Sequence, residues 1–259
     1  MVKIAIIGGS GHILEHGFEI IKEVKISTPY GNPSDSIFIG KVKNTEIAVL
    51  PRHGRNHTIP PHKINFRANI WALKEMGVER IIATAAVGSL KKDYMPGDIV
   101  FPNQFIDFGK DVTTFYDRKR VYHVSLADPF CPTLREVLIK VAKKLKLRYH
   151  EKATYLRISG PRFSTRAESK MFRRFAEIIG MTCVQEAILA REAEICFAVI
   201  ASVTDYDVWA EKPVSAKEVI EVMRRNKSVV EKILLNSIES IPSKRTCPCK
   251  DALKNAAIG

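Results

Sequence analysis

The sequence predicts a single α/β domain built on a mixed, mainly parallel β-sheet flanked by helices. Three observations lead to it. Short apolar runs recur along the chain, and segments with helical periodicity separate them. No Pro/Gly/Ser-rich linker, repeat or low-complexity tract divides the 259 residues. Hydrophobic residues make up 46% and charged residues 27%, the balance of a chain that can bury a sizeable core. The domain is expected over 1–259, with 241–259 as a C-terminal tail.

The first strand falls at 3–7 (KIAII) and runs into the tight turn GGSG at 8–11. Strands follow at 36–42 (SIFIGKV) and 46–50 (EIAVL), then a helix over 62–76, a strand at 80–87 (RIIATAAV) and a short one at 98–101 (DIVF). A helix over 132–147, a strand over 153–158 (ATYLRI) and helices over 165–179 and 184–194 come next. The run 196–203 (CFAVIASV) is a buried parallel strand, and a helix over 215–239 closes the pattern. Ligands of such folds gather at the carboxyl ends of the strands. Three strands end there in small or polar turns: GGSG (8–11), PRHGRNH (51–57) and AAVGS (85–89).

Lys and Arg total 41 against 28 Asp and Glu, a net charge of +13 that attracts anions: nucleic acid, a phosphorylated metabolite or inorganic phosphate. The cations are spread through amphipathic stretches such as LREVLIKVAKKLKLR (134–148), which are solvated helix faces rather than a nucleic-acid footprint. No nucleic-acid partner is expected. The opening MVKIAIIGG is too short in apolar residues for a signal-peptide core, and no segment is long enough to span a bilayer, so no membrane is expected and the cytoplasm is the expected location. Only two glutamines, Gln104 and Gln185, stand beside abundant Lys and Glu, a lean toward a heat-adapted source. The five cysteines are free thiols by default. Cys247-Pro-Cys249 has the wrong spacing for the usual zinc pairs and no second pair lies close in sequence, so no metal is expected. A disulfide in this tail stays open, because heat-adapted intracellular proteins break the usual redox rule.

GGSG invites a dinucleotide reading, yet G-x-G-x-x-G from Gly9 needs a glycine where Leu14 stands, and no P-loop lysine follows. What remains is a turn whose N–H groups and Ser10 hydroxyl can hold one phosphate. Arg52, with its planar fork, and His53, with a tunable proton, suit a phosphate oxyanion at the next strand end. A zinc site on His53, His57 and His62 lacks any Cys or HExxH context. Ser164 or Thr165 caps the following helix, with Glu168 placed for a capping box, and Phe163 either staples that helix or stacks on a flat ligand. Met181 and Thr182 read as packing plus cap, and Asp205 and Asp207 as two carboxylates at a strand end, on one side if the chain stays extended.

Together, GGSG, RHGRNHTIPPHKINFRANIWALKEMG, TAAVGSL, PGDIV with PNQFID, GPRFSTRAESKMFR, IGMT, EAILAREAEIC and VTDYDVW occur in this order over residues 8–209. They resemble the methylthioadenosine phosphorylase branch of the trimeric purine nucleoside phosphorylase family. The resemblance implies a trimer or dimer of trimers, no metal or organic cofactor, and reversible phosphorolysis of an N-glycosidic bond with inorganic phosphate as co-substrate. It places phosphate against Ser10, Arg52, His53, the backbone at Ala85 and Ala86, and Thr182. Met181 then lies under the ribose, Phe163 against the purine, and Asp205 and Asp207 at the purine edge. His123 resembles a residue lent by a neighbouring subunit to the 5'-substituent pocket, with His57 nearby. Ala85 stands where relatives often have threonine, Ser159 where they commonly have Glu, and Gln185 where they have proline.

These residue types suit the chemistry. Cleavage passes through an oxocarbenium-like sugar, for which bound phosphate is both nucleophile and stabilising anion. The departing purine gathers negative charge, and a carboxyl of raised proton affinity at Asp205 relieves it by protonating N7. Asp205 also accepts from a 6-amino group and so favours adenine over 6-oxopurines. The catalytic pair is therefore Asp205 and His53. The rivals are a phosphorylase of 6-oxopurine nucleosides, a hydrolytic nucleosidase and a basic RNA-binding protein.

Overall fold

The structure, a computed structural model, describes residues 2–9, 16–117, 120–212 and 214–258. The chain runs β1 (Ile4–Gly8), β2 (Glu19–Val24), β3 (Ile37–Val42), β4 (Thr45–Pro51), α1 (Phe66–Glu75), β5 (Arg80–Ser89), β6 (Ile99–Val100), β7 (Gln104–Asp107) and β8 (Val121–Tyr122). It continues α2 (Pro132–Lys144), β9 (Tyr149–His150), β10 (Thr154–Arg157), α3 (Arg166–Phe172), β11 (Ile178–Gly180), α4 (Cys183–Glu192), β12 (Cys196–Asp205), α5 (Ala216–Ile238) and β13 (Ala257–Ile258).

The sheet is organised around β5 and β12, ten residues each, paired in parallel from Cys196 opposite Arg80 to Val203 opposite Val87. On its other side β5 pairs in parallel with β1, and β1 with β4, so four carboxyl ends emerge at one edge. Beyond β1, the far end of β5 pairs antiparallel with β11, Ile179 opposite Gly88, and β10 and β7 extend that half in parallel. Alternation along the central strands divides the core. Phe197, Val199, Ala201 and Val203 join Leu73 and Leu189 on one face; Cys196, Ala198 and Ile200 join Leu138 and Leu234 on the other. The first face is covered by α1 and α4, the second by α2 and α5. None of the described helices is long and apolar enough to cross a membrane.

Two expectations are corrected. The helix read over 165–179 stops at Phe172, and Ile178–Gly180 is a strand. Both periods fit that apolar stretch. The sheet wins because Ile178 and Ile179 fill the ladder between β5 and β10. Gly180 is required there, since a Cβ would lie 2.0 Å from the Tyr155 hydroxyl. The strand expected at 98–101 keeps only Ile99 and Val100. Sequence reading also missed β2, because its residues are largely exposed at a sheet edge and give no burial pattern. Thr165, not Ser164, caps α3: it accepts from the Glu168 N–H, and the Glu168 carboxylate accepts from the Thr165 N–H in return.

Candidate active site

Arg52 follows directly on β4, and its N–H donates to Gly8 O at 2.9 Å, continuing the ladder with β1. The side chain is only 1% exposed. Its Nε and Nη2 donate to the two carboxylate oxygens of Glu186 at 2.6 and 2.8 Å, and Nη1 donates to Thr84 O at 2.7 Å. Three of the five guanidinium N–H groups are thereby committed. The two left over, one on each Nη, are those available to an anion, and a Cβ built on Gly9 would stand 3.7 Å from Nη1. Burial raises the Glu186 carboxyl above the ordinary glutamate range, and Arg52 pulls it back. Glu186 is the partner that sequence reading missed. It lies 134 positions from Arg52 and resembles an ordinary first-turn acid of α4.

Thr182 occupies the N-cap position of α4 but its hydroxyl makes no capping hydrogen bond, contrary to the cap expected of it. That hydroxyl lies 3.9 Å from Cys183 Sγ, and the helix starting there carries Glu186, the Arg52 partner, in its first turn; a helix start beside an arginine favours an anion. Ala85 and Ala86, the latter opposite Ser202 of β12, lie on β5 just past Thr84. Ser10 lies outside the described residues.

His53 is buried and its Nδ1 lies 2.7 Å from Ile59 O. A carbonyl only accepts, so Nδ1 carries the proton and Nε2 presents a lone pair. His57, in a left-handed backbone conformation (φ 52°), stacks on this ring at 4.4 Å. Burial and the neighbouring Arg52 lower the His53 pKa to about 4, so the ring is neutral near pH 7. Its stability contribution is present above the unfolded pKa of about 6.5 and lost as pH falls toward 4, a span worth about 3 kcal/mol. Wild type is expected to lose more thermal stability between pH 7 and 4 than His53→Gln; parallel curves would contradict it.

The other end of the site is Asp205, opposite Gly88 on β5, where a bulge after Val203 shifts the register. Its Oδ2 accepts from Thr204 Oγ1 and its Oδ1 from the Asp207 N–H, both at 2.7 Å. Burial raises its pKa above the ordinary aspartate value, those two donors oppose the rise, and the Asp207 carboxylate adds to it. Asp207 has φ 51°, so the chain does not stay extended and the two-residue spacing no longer puts both carboxyls on one side by itself. The Asp207 side chain is buried with Oδ2 unpaired among the described residues. The Ser164 and Ser169 hydroxyls lie near enough to pull its raised pKa down, but not in hydrogen-bonding geometry.

Phe163 is 39% exposed, and Met181 packs over Gly160, where a Cβ would stand 2.5 Å from its sulfur. A cleft of about 370 Å³ opens beside Asp205, lined by Thr204, Tyr206, Lys212, Glu218 and Arg225. His123 is not part of this assembly. It lines a separate cleft of about 330 Å³ with Tyr116, Tyr122 and Glu192. Four residue steps along β5 lead from Thr84, at the Arg52 end, to Gly88, at the Asp205 end, a distance of about 13 Å.

The sequence profile of the phosphorylase superfamily matches residues 3–239. Over 256 residues the chain is 57% identical to the S-methyl-5'-thioadenosine phosphorylase of Pyrococcus furiosus, with 98% of each chain covered. A methylthioadenosine phosphorylase from an antarctic soil metagenomic library has the same fold, with a TM-score of 0.93 at 42% identity over 99% of this chain and 92% of that one. The methylthioadenosine phosphorylase of Schistosoma mansoni in complex with adenine gives a TM-score of 0.90 at 39% identity, over 95% and 93% of the two chains.

Proposed function

The chain belongs to the phosphorylase superfamily, and from that premise we propose that it cleaves 5'-methylthioadenosine with inorganic phosphate. The products are adenine and 5-methylthioribose 1-phosphate, and adenosine is cleaved likewise to ribose 1-phosphate. One observation carries this assignment beyond family membership: an anion corner and a buried acid stand about 13 Å apart along a single strand.

Phosphate occupies the corner made by the two uncommitted N–H groups of Arg52, the Thr182 hydroxyl, the start of α4 and the β5 backbone at Ala85 and Ala86, with Ser10 completing it. A hydrogenphosphate donates its P–OH to the His53 Nε2 lone pair, which orients the remaining oxygens. One of these attacks C1' as the C1'–N9 bond breaks and its electron pair passes to the purine. Asp205 delivers its proton to N7, so adenine leaves neutral and the carboxylate is left held by Thr204 and the Asp207 N–H. Phe163 covers the purine, Met181 the ribose, and Asp207 shapes the base loop.

His123 and the adjacent cleft serve the 5'-substituent of a neighbouring subunit's site, with His57 on the receiving side, so the working unit is a homotrimer or homohexamer. The enzyme acts in the cytoplasm of a heat-adapted cell, with phosphate as its only co-substrate and no metal or organic cofactor. Gln185, buried in the first turn of α4 with its Oε1 unpaired among the described residues, and Ser159 reshape the base loop.

A nucleoside panel assayed with and without phosphate tests the proposal. Methylthioadenosine and adenosine are expected to release base only when phosphate is present. Faster cleavage of inosine, or base release at full rate in phosphate-free buffer, would refute it.

A further inference from the structure

Past Asp205 the chain forms a loop whose carbonyls converge on one arginine. Val208 O and Ala210 O each accept from Arg166 Nη1 at 3.2 Å, and Glu211 O accepts from Arg166 Nη2 at 3.4 Å. In the middle of the same loop the Trp209 ring lies 4.0 Å from the Arg173 guanidinium, and Arg173 Nε donates to Leu90 O at 3.0 Å. Arg166 is the first residue of α3 and Arg173 is its C-cap. We propose that Arg166 and Arg173 are positioning residues for purine recognition: from the two ends of α3 they hold the loop that carries Asp207 away from Asp205 in a fixed relation to Phe163. The role rests on the reaction assigned above.

Helix stability does not explain Arg166. A cation in the first turn opposes the helix dipole, and the capping box of Thr165 and Glu168 already serves that end of α3. What the position provides is reach. Three carbonyls turned toward one point repel one another, and a guanidinium, with five donors in a planar fork, answers all three. Arg173 works through its flat face on the indole, and Trp209 in turn donates Nε1 to Ser89 O at 2.7 Å and packs on the apolar cluster of Leu90 and Phe172. The seven residues of α3 put the two attachments about 10 Å apart, so they fix the loop in orientation as well as in distance.

Phe163 is tied to the same helix. Arg162 Nη1 donates to Phe163 O at 3.0 Å, and its two Nη groups donate to the Glu168 carboxylate at 2.7 Å. The helix therefore couples the ring that covers the purine to the acid that meets the purine edge. Releasing the loop separates these two contacts and leaves the anion corner at Arg52 untouched.

The test uses the full chain. Arg166→Ala, an exposed position, is expected to weaken adenine binding and raise KM for methylthioadenosine by about 10- to 100-fold, the worth of a hydrogen bond from a charged donor, with KM for phosphate within a few-fold of wild type. Arg166→Lys should recover part of the loss, and Lys170→Ala, exposed on the same helix, should match wild type. Arg173→Leu keeps an apolar contact with Trp209 but no charge and should weaken adenine binding in the same way. In hydrogen exchange, Arg166→Ala should deprotect the Asp207 amide, which donates to Asp205, while the amides of β5 stay protected. Unchanged protection at Asp207, or wild-type adenine affinity in Arg166→Ala, overturns the proposal whichever nucleoside is cleaved. Wild type that binds no adenine would overturn the assigned reaction, and this role with it.

Discussion

Asp205→Ala is expected to lower kcat for methylthioadenosine by about 10²- to 10⁴-fold, the span of general acid catalysis, while KM for phosphate stays within a few-fold of wild type. The carboxyl sits at the far end of β5 from Arg52 and touches none of the anion-binding groups, so its loss removes protonation of the leaving purine alone. Asp205→Asn is more informative. The Asp207 N–H can only donate, so the oxygen facing it must remain an oxygen. The amide nitrogen then takes the place of Oδ2, and Thr204 Oγ1, whose one proton can turn from Oδ2 to its other acceptor, Val87 O at 3.2 Å, accepts from the amide. The variant keeps the fold, cannot protonate N7, and offers a donor where the 6-substituent lies. Its inosine-to-adenosine ratio of kcat/KM should rise above that of wild type. An unchanged ratio together with unchanged kcat would remove Asp205 from the chemistry.

Arg52→Met and Glu186→Met should each destabilise the fold by about 3–5 kcal/mol, because each leaves an uncompensated buried charge. For a chain of this length that is a fall of about 10 °C in Tm. The double variant exchanges the pair for packed apolar side chains and is expected to recover most of the loss. Phosphate binding should separate the two members. Any variant lacking Arg52, the double included, should show a strongly raised KM for phosphate, with the nucleoside KM far less affected. In Arg52→Met the lone Glu186 carboxyl has a folded pKa above its unfolded value. Its contribution is then fully present below the unfolded pKa and lost as pH rises through the folded one. Equal effects on both substrates, or no recovery in the double variant, would show that the pair does not hold a phosphate contact.

The frame of this fold is legible in the sequence wherever a strand is buried on both sides, as in β1, β5 and β12, because burial leaves an unbroken apolar run. It is illegible where tertiary context decides. Residues 165–179 satisfy a helical period, yet the ladder between β5 and β10 claims their second half. At the site, Arg52, His53 and Asp205 are visible as charged or titratable groups at strand ends. Their polar partners are not. Glu186 approaches Arg52 across 134 positions, and the Asp207 N–H reaches Asp205 only because a bulge and a left-handed turn redirect the chain. The same limit hid the meeting of Cys131, Cys196, Cys247 and Cys249, whose sulfurs all lie within 4.8 Å of one another although they come from three distant segments.

The pairing of β12 with β5 acts as a fixed calliper for the substrate. One jaw is at Thr84, where Arg52 docks, and the other at Gly88, where Asp205 faces inward, so the gap is set by backbone spacing rather than by side-chain size. A Cβ at Gly88 would come within 2.9 Å of Asp205 Oδ1, which forbids adjusting that jaw by simple substitution. Divergence in what such a protein accepts must therefore come from the surrounding loops, while the opening between the jaws is inherited unchanged.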